Sequence, residues 1–191
     1  MALPTPARAR QILAELEIPA GIVSHSEGVA RVAIEAGRLV AATGIPVDLP
    51  LLEVAALLHD IDKPRIRRSG GEHGIVGAQM LVAMGYEELA MPVASHPVNC
   101  LLDEERFPRG WPSVLLAIAD KHVAQEFMSI DERLDGMVAR HPEYRSQIDA
   151  ARLPARALEH EIAEVVGLTD EALVDLLRFA FAPLSREARA Q

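Results

Sequence analysis

Cysteine is almost missing from this sequence. Cys100 stands alone, so no internal disulfide can form and no thiolate-rich zinc site can be assembled, which fits a reducing, cytoplasmic setting. Lysine is nearly as scarce: Lys63 and Lys121 are the only two among 19 basic residues, and aromatics make up 4% of the chain. Against 28 acidic residues those 19 leave a net charge of −9. That is the wrong sign for a partner presenting a long phosphate backbone, although small anions stay compatible wherever the charge reverses locally. No run of about eighteen apolar residues offers a membrane span, and residues 1–11 hold no apolar segment of an export signal.

What the chain does have is apolar content. Half of its 191 residues are hydrophobic, enough for one domain that needs no staples. Segments of Ala, Leu, Glu and Arg repeat between turn signals, with apolar positions spaced by three and four, so the expected fold is all-α. Helices are expected over residues 5–16, 24–42, 51–61, 73–84, 86–96, 113–128, 131–140, 154–166 and 170–182. Pro64 is expected to halt the third, Pro154 to open the eighth and Thr169 to cap the last. Residues 63–72 and 99–111 read as loops.

The informative residues are polar ones on apolar faces. His25 lies one turn before Val29, His73 precedes Val76 and Met80, His96 follows Val93 by three, and Asp120 interrupts the run Leu115-Leu116-Ala117-Ile118-Ala119. The nearly continuous apolar stretch 51–58, broken by Glu53, ends in the adjacent pair His59-Asp60. A single core histidine is usually satisfied by a backbone carbonyl, and a single buried aspartate by a helix end or an arginine. Five segments doing this at once calls for a shared partner, because an uncompensated buried carboxylate costs several kcal/mol. One or two divalent transition metals (Fe, Mn, Co, Ni or Zn) would serve, since imidazole nitrogen and carboxylate oxygen suit them. Neighbours on a regular helix point about 100° apart, so His59 and Asp60 must straddle a metal or Asp60 must bridge two. Just beyond, Lys63, Arg65, Arg67 and Arg68 reverse the sign of the chain and form either a solvated loop or a phosphate-binding element.

In this order, His25, His59-Asp60, His73, His96 and Asp120 resemble the H…HD…H…H…D series of the HD-domain metal-dependent phosphohydrolase superfamily. "LLHDIDKP" is similar to its HDIGK-type segment, "EHGIVGAQML" to its His-Gly-x-x-Gly-Ala helix and "IADK" to its Ala-Asp segment. The small bacterial proteins similar to dinuclear diadenosine tetraphosphatases look closest. The resemblance covers residues 24–127 and implies an HD-type helical bundle over residues 1–128, with residues 129–191 as a C-terminal helical extension packed on the same domain. That extension either caps the core or builds an oligomer interface, a homodimer included.

The resemblance also implies that His25, His59, Asp60 and Asp120 hold one metal while His73 and His96 bring in a second bridged by Asp60. The implied activity is phosphohydrolysis of a nucleotide or other small phosphorylated metabolite by a metal-activated water. Asp60 or Asp120 would orient that water or take its proton, and Lys63, Arg65, Arg67 and Arg68 would hold phosphate oxygens. A non-catalytic nucleotide sensor and a dinuclear iron oxygenase are the alternatives. Asp62 departs from the usual glycine or small residue and would either perturb the phosphate site or pair with an arginine. His122, His141 and His160 read as solvent histidines, and Met80, Met84 and Met91 as packing residues.

Overall fold

The computed structural model describes residues 2–182. Ten α-helices carry them: α1 (Pro6–Glu15), α2 (Ala20–Ala42), α3 (Leu49–Leu58), α4 (Lys63–Ser69), α5 (Ile75–Ala83), α6 (Ala90–Ser95), α7 (Trp111–His122), α8 (Ile130–Arg140), α9 (Arg145–Val166) and α10 (Asp170–Phe181). Among the described residues there is no strand, only an isolated bridge between Val123 and Phe127, so the fold is all-α as expected. None of these helices is long and apolar enough to cross a membrane.

The long helix α2 is the axis of the bundle. Its Val29, Val32, Ala33, Ala36 and Val40 are buried, and α3, α7, α9 and α10 pack around it. Two glycines allow the closest approaches. A Cβ on Gly37 would lie 2.7 Å from Leu49 Cδ2, and one on Gly28 would lie 2.8 Å from Phe181 Cε2, so α3 and α10 sit tight where α2 has no side chain. Each such glycine costs a helix interior about 1 kcal/mol relative to alanine, a loss that this packing offsets. One hydrophobic core runs from Ala9 in α1 to Leu177 in α10, and α8, α9 and α10 bury Leu134, Ile162 and Leu173 in it.

Several boundaries differ from expectation, each for a local reason. Helix α2 starts at Ala20, directly after Pro19, rather than at residue 24. Residues 63–69 form a helix, not a loop, because Pro64 occupies the first turn of α4, where its missing N–H is no loss, instead of merely ending α3. Helix α5 begins two residues after His73, since Gly74 takes φ 82° with Val93 and Pro97 packed against it. Helix α7 stops at His122. The Met128 amide bonds the His122 carbonyl at 2.9 Å, and the His122 Nδ1–H bonds the Met128 carbonyl at 2.9 Å, which closes a loop in place of the expected last turns. Residues 98–102 form a 3-10 turn that overlaps the start of the 99–111 segment read as loop. Finally, Pro154 lies inside α9 and does not open it.

Candidate metal centre

Helix α3 is apolar apart from Glu53 and delivers its C-terminus into the core, with Leu52 and residues 54–58 buried. There the chain leaves the helix through i to i+3 turns: the Ile61 amide bonds Leu58 O at 3.1 Å and the Lys63 amide bonds Asp60 O at 3.1 Å. Leaving the helix lets the neighbours His59 and Asp60 face one centre, with His59 Nε2 3.4 Å from Asp60 Oδ2. From α2, His25 brings its Nε2 to 3.2 Å from His59 Nε2 and 3.0 Å from Asp120 Oδ1 of α7. On the other side, His73 ahead of α5 and His96 after α6 approach with Nε2 atoms 3.1 Å apart. Asp60 faces both halves. Its Oδ2 lies 3.5 Å from His25 Nε2, while its Oδ1 lies 3.3 Å from His73 Nε2 and 3.8 Å from His96 Nε2. All six residues singled out in the sequence therefore meet around one carboxylate.

Where the ring protons sit shows what this cluster is built to accept. His59 Nδ1–H donates to Ala56 O at 2.8 Å, His96 Nδ1–H to Val93 O at 2.6 Å, and His73 Nδ1–H to Asp62 Oδ1 at 2.9 Å. Carbonyl and carboxylate oxygens only accept, so each neutral ring turns a bare Nε2 lone pair inward. The short approach of His73 to His96 is then no hydrogen bond between neutral rings, and Asp60 Oδ1 is buried without a hydrogen-bond donor. Facing lone pairs and carboxylate oxygens repel unless a cation lies among them. Two donor sets have atoms within 4.8 Å of one another, His25/His59/Asp120 and His59/Asp60/His96, and their nitrogen and oxygen donors suit Fe, Mn, Co, Ni or Zn. The residues present thus fit divalent metal.

Charge in the cluster points the same way. Burial pushes His59 toward neutrality, but the Asp60 and Asp120 carboxylates outweigh it and raise the imidazole to about 9. His73 is raised against its burial by Asp60 and Asp62. Burial and the neighbouring His73 and His59 hold His96 well below its ordinary value. Burial opposes ionisation of Asp60 and Asp120, yet His59 beside the first and Lys121 beside the second keep both carboxyls well below the usual range. The pocket therefore favours positive charge over two ionised carboxylates.

A model of the HD domain family matches residues 22–161, a span that contains all six of these residues. The chain belongs to the HD domain family. Residues 129–161 fall within the match, beyond the 24–127 stretch that carries the motif series. An uncharacterized protein of Methanocaldococcus jannaschii is 36% identical over 92 residues, 48% of this chain and 53% of that one, so the chain spans about half the length of the curated relative it matches. The crystal structure of a predicted HD superfamily hydrolase from an uncultured Thermotogales bacterium is similar at 25% identity and a TM-score of 0.41, covering 85% of this chain and 87% of that chain.

Around the six HD residues stand groups that sequence reasoning missed. Asp62, expected either to perturb the phosphate site or to pair with an arginine, is fully buried and pairs with no arginine among the described residues. Its Oδ1 takes the His73 ring proton, and its Oδ2 takes the Gly74 and Gly77 amides at 2.8 and 3.0 Å, so it caps α5 and orients a candidate ligand together. Lys121 is 1% exposed, and its ammonium donates to His96 O at 2.9 Å and Asp120 Oδ2 at 2.8 Å, tying the two halves together. His122, read as a solvent residue, is fully buried: its ring stacks on Phe127 at 5.0 Å and its Nε2 lies 2.7 Å from Glu159 Oε2 of α9. His141 and His160 are exposed as expected. Met80 and Met84 pack on the core, whereas Met91 is 57% exposed and is not a packing residue.

The HD cluster opens on one side into a cleft of about 440 Å³. His25 and Asp60 reach its floor, Lys63 and Arg67 of α4 line one wall, and Arg133 and Arg140 of α8 line another. Arg65 and Arg68 are exposed on α4 but do not line the cleft. Positions 63 and 67 share a helix face; 65 and 68 turn away from it.

Proposed function

We propose that this HD protein is a metal-dependent phosphohydrolase acting on a nucleotide or other small phosphorylated metabolite. The observation that carries the reading is the junction of two features: the Nε2 atoms of His59, His73 and His96 turned inward around Asp60 while their Nδ1 atoms bond oxygen acceptors, and a cation-lined cleft that begins at the same carboxylate. His25, His59 and Asp120 would hold one metal, and His73 with His96 a second, with Asp60 shared. When bound there, divalent metal ions supply the positive charge that activates water at neutral pH and polarises a phosphoryl oxygen.

The chain's own groups do the rest. Lys63 donates to Asp60 Oδ2 at 2.5 Å and remains 28% exposed, so its ammonium can turn a second donor toward a phosphoryl oxygen in the cleft. Arg133 adds a guanidinium fork suited to the same group. Asp60 and Asp120 are held ionised, which suits them to orient an attacking water by accepting its hydrogen bond.

The test is metal analysis of the purified protein followed by phosphate release from a panel of nucleotides and sugar phosphates. Divalent metal with metal-dependent release supports the reading; protein that neither binds nor responds to divalent metal overturns it. Oxygen uptake by iron-loaded protein without phosphate release would reassign the centre to oxygenase chemistry, and tight ligand binding without turnover would reassign it to sensing.

A further inference from the structure

The cleft carries more positive charge than one phosphoryl group takes up. Its inner cations are already engaged at the floor: Lys63 with Asp60, and Arg133 with the Asp120 carbonyl at 3.4 Å and Asp120 Oδ1 at 3.8 Å. Its outer cations are not. Arg67 stands one turn beyond Lys63, about 6 Å along α4, and Arg140 two turns beyond Arg133, about 10 Å along α8. Among the described residues neither side chain has an ion pair or a hydrogen bond, and Asp60 is the one described carboxylate lining the cleft.

Among the described residues the exposed Arg65, Arg68 and Arg145 are unpaired as well; what sets Arg67 and Arg140 apart is that both line the cleft, while other arginines are held elsewhere. Arg8, Arg10, Arg106, Arg152 and Arg156 each pair with a carboxylate. Arg140 instead shares its surroundings with Arg133, and partial burial together with that like charge lowers its pKa. Between them on α8 lies Gly136, where a Cβ would stand 3.5 Å from Arg140 Nη1, so the guanidinium lies back along the helix over the glycine. The remaining lining is Pro19, Gly21, Ile22, Ala124 and Gln125, with no aromatic face on which a base could stack.

We propose that Arg67 and Arg140 form a subsite for a second phosphoryl group, so that the cleft selects ligands carrying two phosphoryl groups and reads the phosphates rather than a base. The inference deepens the phosphohydrolase reading and rests on it for the inner phosphoryl position. An anhydride-linked and a separately esterified second group share this chemistry. Helix α8, which lies outside the run of metal-ligand motifs, would thus set specificity.

The experiment compares AMP with ADP, and fructose 6-phosphate with fructose 1,6-bisphosphate, on the metal-loaded full chain. Dissociation constants are read by calorimetry, or Michaelis constants where a ligand turns over. In at least one pair the diphosphoryl member should bind roughly tenfold tighter, the scale of one added charge-assisted contact. Arg67→Gln and Arg140→Gln should each remove most of that advantage while leaving the monophosphate constant within about twofold, and Arg65→Gln and Arg68→Gln should change neither. Ribose 5-phosphate should bind about as well as AMP.

Equal binding within both pairs, or variants that weaken mono- and diphosphoryl ligands alike, would overturn the subsite, and so would AMP binding far above ribose 5-phosphate. Turnover of monophosphates with no preference within either pair sinks the subsite and leaves the hydrolase reading. An arginine-dependent preference without any phosphate release does the reverse.

Discussion

Replacing Asp62 by Asn tests whether a carboxylate outside the proposed metal-ligand set decides how the candidate centre would load. Asp62 is fully buried and accepts three hydrogen bonds, from His73 Nδ1, Gly74 N and Gly77 N. In Asp62→Asn the amide oxygen can keep the two glycine amides and hence the start of α5. The amide NH2 then faces His73 Nδ1, and two donors cannot share that bond, so the ring must carry its proton on Nε2 instead. The lone pair that faces Asp60 and His96 is lost. A partner of this kind is worth about 10–100-fold in metal affinity, or roughly 1.4–2.7 kcal/mol. Trading a carboxylate for an amide acceptor should cost folding only about 1–2 kcal/mol, the difference between charged and neutral hydrogen bonds.

The assay has two arms: ring 15N shifts of His73 in metal-free protein, which report the tautomer, and metal equivalents retained against a graded chelator. The expected result is an Nε2–H His73 and one weakened equivalent, while the His25/His59/Asp120 set keeps its own. A variant that keeps the Nδ1–H tautomer and holds every equivalent as tightly as the parent refutes the reasoning.

Three further outcomes are expected. Lys121→Met leaves Asp120 Oδ2 without its ammonium, with His25 and Arg133 still beside Oδ1, and should cost about 3 kcal/mol in urea unfolding of metal-free protein, so a loss under about 1 kcal/mol would show that Lys121 is not needed there. Pro154→Ala restores an amide inside α9 and should stabilise by about 1–2 kcal/mol net of the looser unfolded chain, and a lower melting point would contradict that. His160 donates from Nδ1 to Asp170 Oδ1 at 2.8 Å, which raises its folded pKa above the unfolded 6.5. Its contribution should be fully present below 6.5 and vanish as pH rises through the raised folded value. An NMR titration midpoint that does not fall in Asp170→Asn would disprove the link.

Much of this was legible in the sequence because burial leaves a periodic trace. Apolar residues at three and four announce the helices, and a histidine or aspartate on such a face is conspicuous because its burial is costly without a partner. Partners without a period were not legible. Asp62 reads as an extra charge until the fold brings Gly74 and Gly77 to it, and Lys121 has no partner visible in the sequence beyond its neighbour until the fold brings the His96 carbonyl within 2.9 Å of it. His122 points away from Asp120, as its spacing requires, but α8 and α9 cover that side of α7 too, so leaving one buried face led to another.

Proline shows how one local rule divides by context. Pro64 follows a turn and meets no continuing apolar stripe, so it starts α4 at the position where helices tolerate it best. Around Pro154 the stripe does not stop: Ile148, Ala151, Ala155, Leu158 and Ile162 are buried along one side, and their shared burial outweighs a lost hydrogen bond of about 3 kcal/mol. The same reasoning sorts the basic residues. Once residues 63–69 are helical, position 67 must share a face with 63, and positions 65 and 68 cannot. On α8 the buried stripe of Ile130, Leu134 and Val138 leaves Arg133 and Arg140, seven apart, on one common edge. A cleft whose walls come from two such helices has a charge that neither segment shows alone, and that is why a chain with a net charge of −9 can still present four cations to one space.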